Sequence, residues 1–365
     1  MTVYKNSDGF RKIRNFAGII FDCDGVLIDS SRSYDLALIV CFRAFSALLG
    51  FDFQEEEFMK TLREIRKLGG FNNDWDSLDI MVAYSYSKSK DTKLLDSISQ
   101  IPDLRERLQA FETKSNQAKG GTRLKLEFGD LLRIVSKMPE GTNREELSTK
   151  ILRTAELLNK VSEMTSYPRA VGEGLLATLY DEVVYGKQVF RKMYGFDCAT
   201  SSMSSPGLIL QEKKLVSESA LAVFSEASQG NLGVITGRPK IPTLFTLGKT
   251  FSKWFTRPEI CMFTGDYLLN VEEVKPSPKP MFRISRILNS SNPILYVGDS
   301  GEDVLLAKYA NMSKEMQQKV AFAGIASDME KARYFESEGN SVDCIVSDVN
   351  ELSLLIAEKC GISSD

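Results

Sequence analysis

Short apolar runs bounded by polar turns recur along the chain and predict buried β-strands. After residue 230 these runs alternate with helical stretches, for example at 277–288 and 301–310. Strands that alternate with helices predict an α/β fold, with a Rossmann-like parallel sheet core and helices on both of its faces. The predicted strands lie at 16–21 ("FAGIIF"), 231–235, 260–263, 293–297, 319–325 and 342–346.

Between about 31 and 200 the pattern changes to apolar residues at helical spacing. In "NREELSTKILRTAELLNKVSEM", for example, Leu147, Ile151 and Leu158 fall on one face of a helix. The whole segment predicts helices at roughly 31–49, 54–68, 76–87, 91–117, 124–137, 143–164 and 170–194.

A long helical insertion therefore separates the first strand from the other strands. The small, polar stretch "ATSSMSSPG" at 199–207 ends in Pro-Gly and predicts a linker that returns the chain to the sheet. We predict a discontinuous α/β core made of 1–30 and 208–365, and a large all-α cap domain inserted at 31–207.

Composition and charge narrow the classes of function. The net charge of -3 argues against a dedicated nucleic-acid-binding protein, which normally carries a basic excess. No apolar run reaches the roughly 18 residues that cross a bilayer, and the polar start "MTVYKNSDGFRKIRN" has no apolar signal core. The six cysteines are scattered without a CxxC pair, which argues against a zinc site or a disulfide framework. We expect a cytoplasmic protein without nucleic-acid or membrane partners.

The chain contains no histidine. Catalytic triads that need His, His metal ligands and His general bases are therefore excluded. Any catalysis has to use carboxylates, lysines, hydroxyls, thiols or backbone dipoles. This directs attention to the acidic stretch "FDCDGVLIDS", which follows the first predicted strand.

Acidic residues follow two of the predicted strands at their carboxyl ends, where open parallel sheets bind ligands. Asp22 and Asp24 follow the first strand, and Asp299 and Asp303 follow the strand "PILYV". Carboxylates this close repel each other unless a cation or a proton lies between them, and Mg²⁺ prefers oxygen ligands. One carboxylate could then attack as a nucleophile while the other transfers a proton. The alternatives are an Asp-rich turn and an Asp303 that only caps a helix.

Two further motifs also follow predicted strands. In "LGVITGRPK", the Thr236 hydroxyl and the Gly237 amide can bind phosphate oxygens, although Thr236 could instead be a helix N-cap. In "VEEVKPSPKP", two prolines restrict the backbone around Lys275, and a fixed cation offsets phosphate charge. The alternative is an exposed lysine in a loop, and Lys279 is the competing lysine.

These four motifs, in this order, resemble the haloacid dehalogenase superfamily of phosphohydrolases. They are Asp-x-Asp-Gly-Val, Thr-Gly-Arg, Lys-Pro-x-Pro and Gly-Asp-Ser-x-x-Asp. The insertion just after the first motif resembles the branch of that superfamily with a helical cap, and it is larger than the caps typical of that branch. The resemblance covers the core, about half of the chain.

The resemblance implies a role for each motif residue. Asp22 attacks phosphorus and forms an aspartyl-phosphate, and Asp24 protonates the leaving oxygen and then activates water. Thr236 and the Gly237 amide bind the phosphoryl group, and Lys275 offsets its charge. The Asp22 carboxylate, the Asp24 backbone carbonyl and Asp299 hold Mg²⁺. Asp303 supports that metal site.

The expected function is therefore Mg²⁺-dependent hydrolysis of a phosphate monoester, a small phosphorylated metabolite. One alternative is a phosphomutase that returns the phosphoryl group to a sugar. The other is a non-catalytic protein that kept the core fold and binds a partner through its insertion. We also expect part of the insertion to form a homodimer surface.

The stretch "RKLGGFNNDWDS" at 66–77 is the most unusual part of the insertion. One hypothesis is that it contacts the leaving group and sets substrate specificity. The alternative is a turn between two helices, with Gly, Asn and Asp as caps and Trp75 as a packing anchor. The candidate specificity residues are Lys67, Asn72, Asn73 and Asp74.

Overall fold

The computed structural model describes residues 3–69, 71, 73–118, 120–139, 141–267 and 273–362. The chain divides into two compact units: unit 1 contains Met1–Ser30 and Glu212–Asp365, and unit 2 contains Ser31–Gln211. Unit 1 thus resumes at Glu212 and not at the predicted residue 208. The short 3₁₀ helix Leu208–Gln211 belongs to unit 2 because it packs against the last helix of that unit.

Most of the described strands belong to one sheet in unit 1. Its order is β1-β11-β10-β9-β2-β7-β8, and every neighbouring pair is parallel except β1 with β11. β3 pairs with β6, and β4 pairs with β5. The strands are β1 (Val3–Asn6), β2 (Gly18–Phe21), β3 (Ile28–Asp29), β4 (Phe51–Asp52), β5 (Leu124–Lys125), β6 (Lys213–Lys214), β7 (Leu232–Thr236), β8 (Cys261–Phe263), β9 (Ile294–Gly298), β10 (Val320–Ile325) and β11 (Cys344–Val346).

The helices of both units follow in chain order. They are α1 (Asp8–Lys12), α2 (Tyr34–Leu48), α3 (Glu55–Arg66), α4 (Asp74–Lys88), α5 (Lys93–Ser99), α6 (Leu104–Ala118), α7 (Gly129–Val135), α8 (Arg144–Leu152), α9 (Ala155–Thr165), α10 (Leu175–Tyr194), α11 (Glu218–Ala227), α12 (Lys240–Leu247), α13 (Lys249–Trp254), α14 (Lys279–Leu288), α15 (Gly301–Met312), α16 (Met329–Ser337) and α17 (Val349–Cys360). No described helix is both long enough and apolar enough to cross a membrane.

The central strands of unit 1 are apolar at every position because both faces of the sheet are covered. Alternate side chains of β2 point to opposite faces. Ile19 and Phe21 join a core cluster that includes residues of α11 and α17. Ile20 joins a second cluster with residues of α14, α15 and α16. The prediction of an α/β fold with a parallel central sheet is confirmed.

Unit 2 is helical apart from the pair β4 and β5, so the prediction of an all-α insertion is wrong in this detail. These strands have two residues each, too few to produce a strand-like pattern. The predicted helix 91–117 is two helices, α5 and α6, with Pro102 in the connection. The predicted helix 143–164 is also two helices, α8 and α9. Arg153 takes a left-handed conformation (φ 62°) at the end of α8, and Thr154 caps α9 by accepting from the Leu157 amide.

Candidate active site

Three neighbouring strands bring the predicted site residues to one edge of the sheet. β2 lies between β9 and β7, and Phe21 is in register with Val297 and Val234. Because these strands are parallel, their carboxyl ends meet at the same edge. Asp22 and Asp299 therefore follow β2 and β9 side by side, and the last residue of β7 is Thr236.

The chain leaves β2 in a tight hydrogen-bonded turn that only glycine fits. The Cys23 carbonyl accepts from the Leu27 and Ile28 amides at 2.8 and 2.9 Å, and the Gly25 amide donates to the Ile28 carbonyl. Gly25 has a φ of 73°, and a Cβ there would lie 2.1 Å from Asp299 Oδ2. The turn thus brings the Asp22–Asp24 segment directly against Asp299.

Asp22 is a buried carboxylate beside a buried ammonium. Its Oδ1 accepts from the Cys23 amide at 2.7 Å, and its Oδ2 lies 3.0 Å from Lys275 Nζ. Burial raises the pKa of Asp22 to about 8, because desolvation and the neighbouring carboxylates outweigh the charge of Lys275. A further cation at this place would favour the ionised form, which is the form that can act as a nucleophile.

Lys275 is shared between two carboxylates. Its Nζ donates to Asp303 Oδ1 at 2.8 Å, in addition to the contact with Asp22. Burial opposes the charge of Lys275, but the two carboxylates hold its pKa well above the usual value. Burial also opposes the charge of Asp303, yet Lys275 and the hydrogen bonds to this carboxylate hold its pKa below the usual range. Lys275 is therefore a fixed, buried cation, as its motif predicts.

Asp303 organises the site through its hydrogen bonds. Oδ1 accepts from Lys275 and from Tyr296 Oη at 2.6 Å, and Oδ2 accepts from the Ser300 hydroxyl and from the Asp299 and Ser300 amides. A carboxylate offers about four lone-pair sites, so these donors saturate it. Asp303 caps α15 and also holds Lys275, so the helix-cap interpretation describes only part of its role.

One group of carboxylates could hold a cation among the residues that the structure describes. Oxygen atoms of Asp22, Asp299 and Asp303 all lie within 4.8 Å of one another. Because Asp303 is saturated, Asp22 and Asp299 are the carboxylates with lone pairs to offer. Oxygen donors of this kind fit Mg²⁺. The side chain of Asp24 is not part of this group. The predicted ligand from Asp24 is its backbone carbonyl, and a comparison of side-chain oxygens does not test it.

Thr236 is buried at the end of β7, and its Oγ1 accepts from the Arg238 amide at 3.1 Å. Its backbone carbonyl accepts from Thr264 Oγ1 at 3.0 Å, which fixes the turn after the strand. No described atom lies within 4 Å of the place where a Cβ of Gly237 would be. The space at the Cβ position of Gly237 is therefore open, and a buried hydroxyl precedes this residue in the chain. A hydroxyl next to a backbone amide is an arrangement that can bind an anion.

Together these residues form a buried carboxylate, a fixed ammonium and a pair of oxygen donors at one edge of a parallel sheet. Comparison with protein-family models, with curated proteins and with solved structures finds no match to this chain. The arrangement itself can supply a nucleophile, hold a divalent cation and offset the charge of an anionic substrate.

Several residues of the site were not identified from the sequence. Tyr296 donates to Asp303, and its place in an otherwise apolar strand is a signal that could have identified it. Lys331 Nζ donates to Asp299 Oδ2 at 2.5 Å from the first turn of α16. Arg238 donates hydrogen bonds to both Glu212 and Asp24. Glu212 and Lys331 lie outside every motif, so only the fold brings them to the site.

In unit 2 the candidate specificity residues make internal contacts. Asn73 caps α4 by accepting from the Asp76 amide at 2.8 Å. Asp74 accepts from Arg66 and from the Tyr180 hydroxyl, each at 2.7 Å. Asn72 lies outside the described residues. The exposed Lys67 pairs with a glutamate one turn earlier in the chain. The turn-and-cap interpretation explains these contacts, and their role in specificity stays a prediction.

Trp75 is half-buried and donates a hydrogen bond to a buried carboxyl of unit 2. Its Nε1 donates to Asp181 Oδ1 at 3.1 Å, and the Tyr194 hydroxyl donates to Asp181 Oδ2. Burial raises the pKa of Asp181 to about 7, although these two hydrogen bonds oppose the shift.

We expect Asp181→Asn to change how the stability of the protein depends on pH. The folded protein keeps the Asp181 proton up to about pH 7, whereas the unfolded chain loses it near the usual value of 3.8. The contribution of Asp181 to stability is therefore greatest at low pH and falls as pH rises through this window, by up to about 1.4 kcal/mol per pH unit. The neutral Asn lacks this term. Urea unfolding between pH 5 and about 8 should show Asp181→Asn gaining stability relative to the wild type.

The matched control is Glu156→Gln, which alters an exposed ion pair with Lys160 in the same unit. This variant should follow the wild-type profile across the same pH range. Parallel profiles for Asp181→Asn and the wild type would show that Asp181 does not carry the pH dependence.

Proposed function

We propose that this protein is a phosphatase of the haloacid dehalogenase type, which hydrolyses a small phosphate monoester through an aspartyl-phosphate on Asp22. The observation that carries the proposal is the position of Lys275 Nζ, 3.0 Å from Asp22 Oδ2 and 2.8 Å from Asp303 Oδ1. Lys275 thus contacts two carboxylates: Asp303, whose lone pairs are all used, and Asp22, which has lone pairs left. The second of these, Asp22, is the nucleophile.

Asp22 and Asp299 would hold the Mg²⁺ ion, with the Asp24 backbone carbonyl as a further ligand. When bound, Mg²⁺ supplies positive charge that offsets the phosphoryl oxygens and favours the ionised form of Asp22. Lys275, whose Nζ lies beside Asp22 Oδ2, offsets the remaining negative charge of the phosphoryl group. Thr236 and the Gly237 amide bind the phosphoryl oxygens at the end of β7.

The reaction takes two displacements at phosphorus. First, an Asp22 oxygen forms a bond to phosphorus as the ester oxygen leaves, and Asp24 gives its proton to that leaving oxygen. Then Asp24 accepts a proton from water, whose oxygen attacks the phosphorus of the aspartyl-phosphate. The bond from Asp22 to phosphorus breaks, and inorganic phosphate and an alcohol are the products.

Unit 2 is proposed to serve as the cap domain. It interrupts the core sequence after Ser30, soon after the acidic motif, which is the place expected for a cap that selects the leaving group. Caps of this kind exclude water from a reactive intermediate. The partner proposed for the protein is thus a small phosphorylated metabolite, and the homodimer surface in unit 2 stays a prediction.

A screen of phosphorylated metabolites tests this function. We expect the purified protein with Mg²⁺ to release inorganic phosphate from at least one ester of a broad panel, and chelation by EDTA to stop the release. The measurement is free phosphate, with product identity checked by mass spectrometry. An isomerised sugar phosphate with little free phosphate would indicate a phosphomutase instead. If no ester reacts, the non-catalytic alternative is favoured and the proposal fails.

A further inference from the structure

A fully buried ion pair lies directly behind the proposed general acid. The side chains of Arg238 and Glu212 are both 0% exposed, and Arg238 NH2 lies 2.5 Å from Glu212 Oε2. Arg238 NH1 donates to Asp24 Oδ1 at 3.0 Å. One guanidinium therefore joins a buried glutamate to a carboxylate that is 32% exposed.

The glutamate is itself held in place. The Thr246 hydroxyl, in α12, donates to Glu212 Oε2, and Arg238 NH2 lies 3.3 Å from the same hydroxyl. Glu212 precedes β6, which pairs with β3 at the end of the Asp22–Asp24 turn. The guanidinium is thus bound on one side by a fixed carboxylate and contacts Asp24 on the other.

Such a pair contributes little to stability by itself. Taking a guanidinium and a carboxylate out of water has a large desolvation cost, and apolar residues of similar size often serve the fold equally well. A buried ion pair that also contacts a proposed catalytic side chain is therefore better explained by what it does to that side chain. The planar guanidinium of Arg238 can orient the Asp24 carboxylate as well as offset its charge, whereas the flexible ammonium of a lysine would supply only the charge.

Asp24 also needs support from outside its own turn. Gly25, the next residue, has a left-handed backbone, and the Asp24 side chain is partly open to solvent. The Arg238 amide meanwhile donates to Thr236 Oγ1 at 3.1 Å. The turn after β7 thus positions both a proposed phosphate ligand and the proposed general acid.

We infer that Arg238 and Glu212 are positioning residues for Asp24. Glu212 orients the guanidinium, and the guanidinium holds Asp24 Oδ1, so that proton transfer to and from the leaving oxygen falls to Oδ2. The inference rests on the proposed phosphatase function and extends it to two residues that do not touch the reacting atoms.

Leaving-group dependence separates this role from general support of the fold. An alkyl phosphate needs a proton on its leaving oxygen, whereas 2,4-dinitrophenyl phosphate leaves readily without one. The quantity to measure is kcat/KM, which reports the steps up to transfer of the phosphoryl group to Asp22. For Arg238→Lys and for the charge-free double variant R238M/E212Q, we expect kcat/KM to fall about 100-fold with the alkyl ester. With the dinitrophenyl ester the fall should be less than about 5-fold.

Three further variants complete the experiment. Asp24→Asn gives the reference pattern for a lost general acid. Glu212→Gln keeps the shape of the side chain, and should show the same selectivity with a smaller loss, so the test survives if the double variant fails to fold. Arg286→Met removes an exposed Arg–Glu pair of the same unit, 2.7 Å from Glu315, and should leave both rates unchanged.

Equal losses with both esters, or no loss with either, would overturn the inference and leave the proposed function standing. A wild-type protein that hydrolyses neither of these esters, nor any ester of the metabolite panel, would overturn the proposed function and the inference with it. Selective loss with the alkyl ester in properly folded variants, as judged by thermal unfolding, supports the positioning role.

Discussion

Asp22→Asn should reduce the hydrolysis of p-nitrophenyl phosphate by about four orders of magnitude or more, because an amide cannot displace the leaving oxygen. Asp22 is the expected nucleophile for a structural reason. Asp303 is also buried, but five hydrogen bonds saturate its oxygens. Among the described contacts, the Asp22 oxygens meet the Cys23 amide and the Lys275 ammonium. Rates with Mg²⁺ measure the loss, and mass spectrometry of quenched protein should detect phosphoenzyme in the wild type alone.

The same variant should fold at least as stably as the wild type. Burial raises the pKa of Asp22 to about 8, which means that its ionised form is costly in the folded protein, and Asn has no ionised form. The control is Asp29→Asn, which alters the third carboxylate of the same sequence motif and should keep nearly full activity. An active, phosphorylated Asp22→Asn protein would refute the proposed mechanism.

The sheet was predictable because parallel strands covered on both faces consist of consecutive apolar residues. All six strands predicted from such runs are present, each within about two residues of its predicted bounds. β1 was not predicted, because "VYKN" is short and half polar, and the strand forms only by antiparallel pairing with β11 at the sheet edge. Because β1 and β11 are far apart in the sequence, no local pattern of residues predicts their pairing.

The candidate site was predictable where its residues follow strands. Asp22, Thr236 and Asp299 reach one edge because their strands are parallel and adjacent in the sheet. The alternation with helices predicts the parallel direction of the strands, whereas their order is seen only in the structure. Glu212 and Lys331 carry no such signal, since a lone charged residue in a polar stretch is normally solvated. Only the folded chain shows that Glu212 is buried against Arg238.

In unit 2 the helical periodicity indicated the helices but not their breaks. Arg153 ends α8 in a left-handed conformation that usually favours glycine or asparagine, so its sequence gave no stop signal. The capping box at the start of α8 uses the side chains of Asn143 and Glu146. The two boundaries depend on a backbone conformation and on a capping contact, neither of which periodicity reports.

The second large effect is expected from Lys275→Met, which removes the ammonium shared by Asp22 and Asp303. The variant should lose about 3–5 kcal/mol of unfolding free energy, because a buried carboxylate is left without its partner. Activity should fall by at least about 100-fold, because the charge that offsets the phosphoryl group is lost. Urea unfolding and phosphate release measure the two effects on the same preparation.

Two companion variants separate the role of the charge from its position. Lys275→Met combined with Asp303→Asn removes both members of one pair and should recover part of the stability, but not the activity, because the cation beside Asp22 is still missing. Lys279→Met alters the competing lysine, which is exposed at the start of α14, and should change neither stability nor activity appreciably. If Lys279→Met were inactive and Lys275→Met active, the assignment of the two lysines would be reversed. The double variant restores only the charge balance at this buried pair, because it lacks both the ammonium and the Asp303 carboxylate. If it regained activity, the ammonium of Lys275 would serve the fold and not the chemistry.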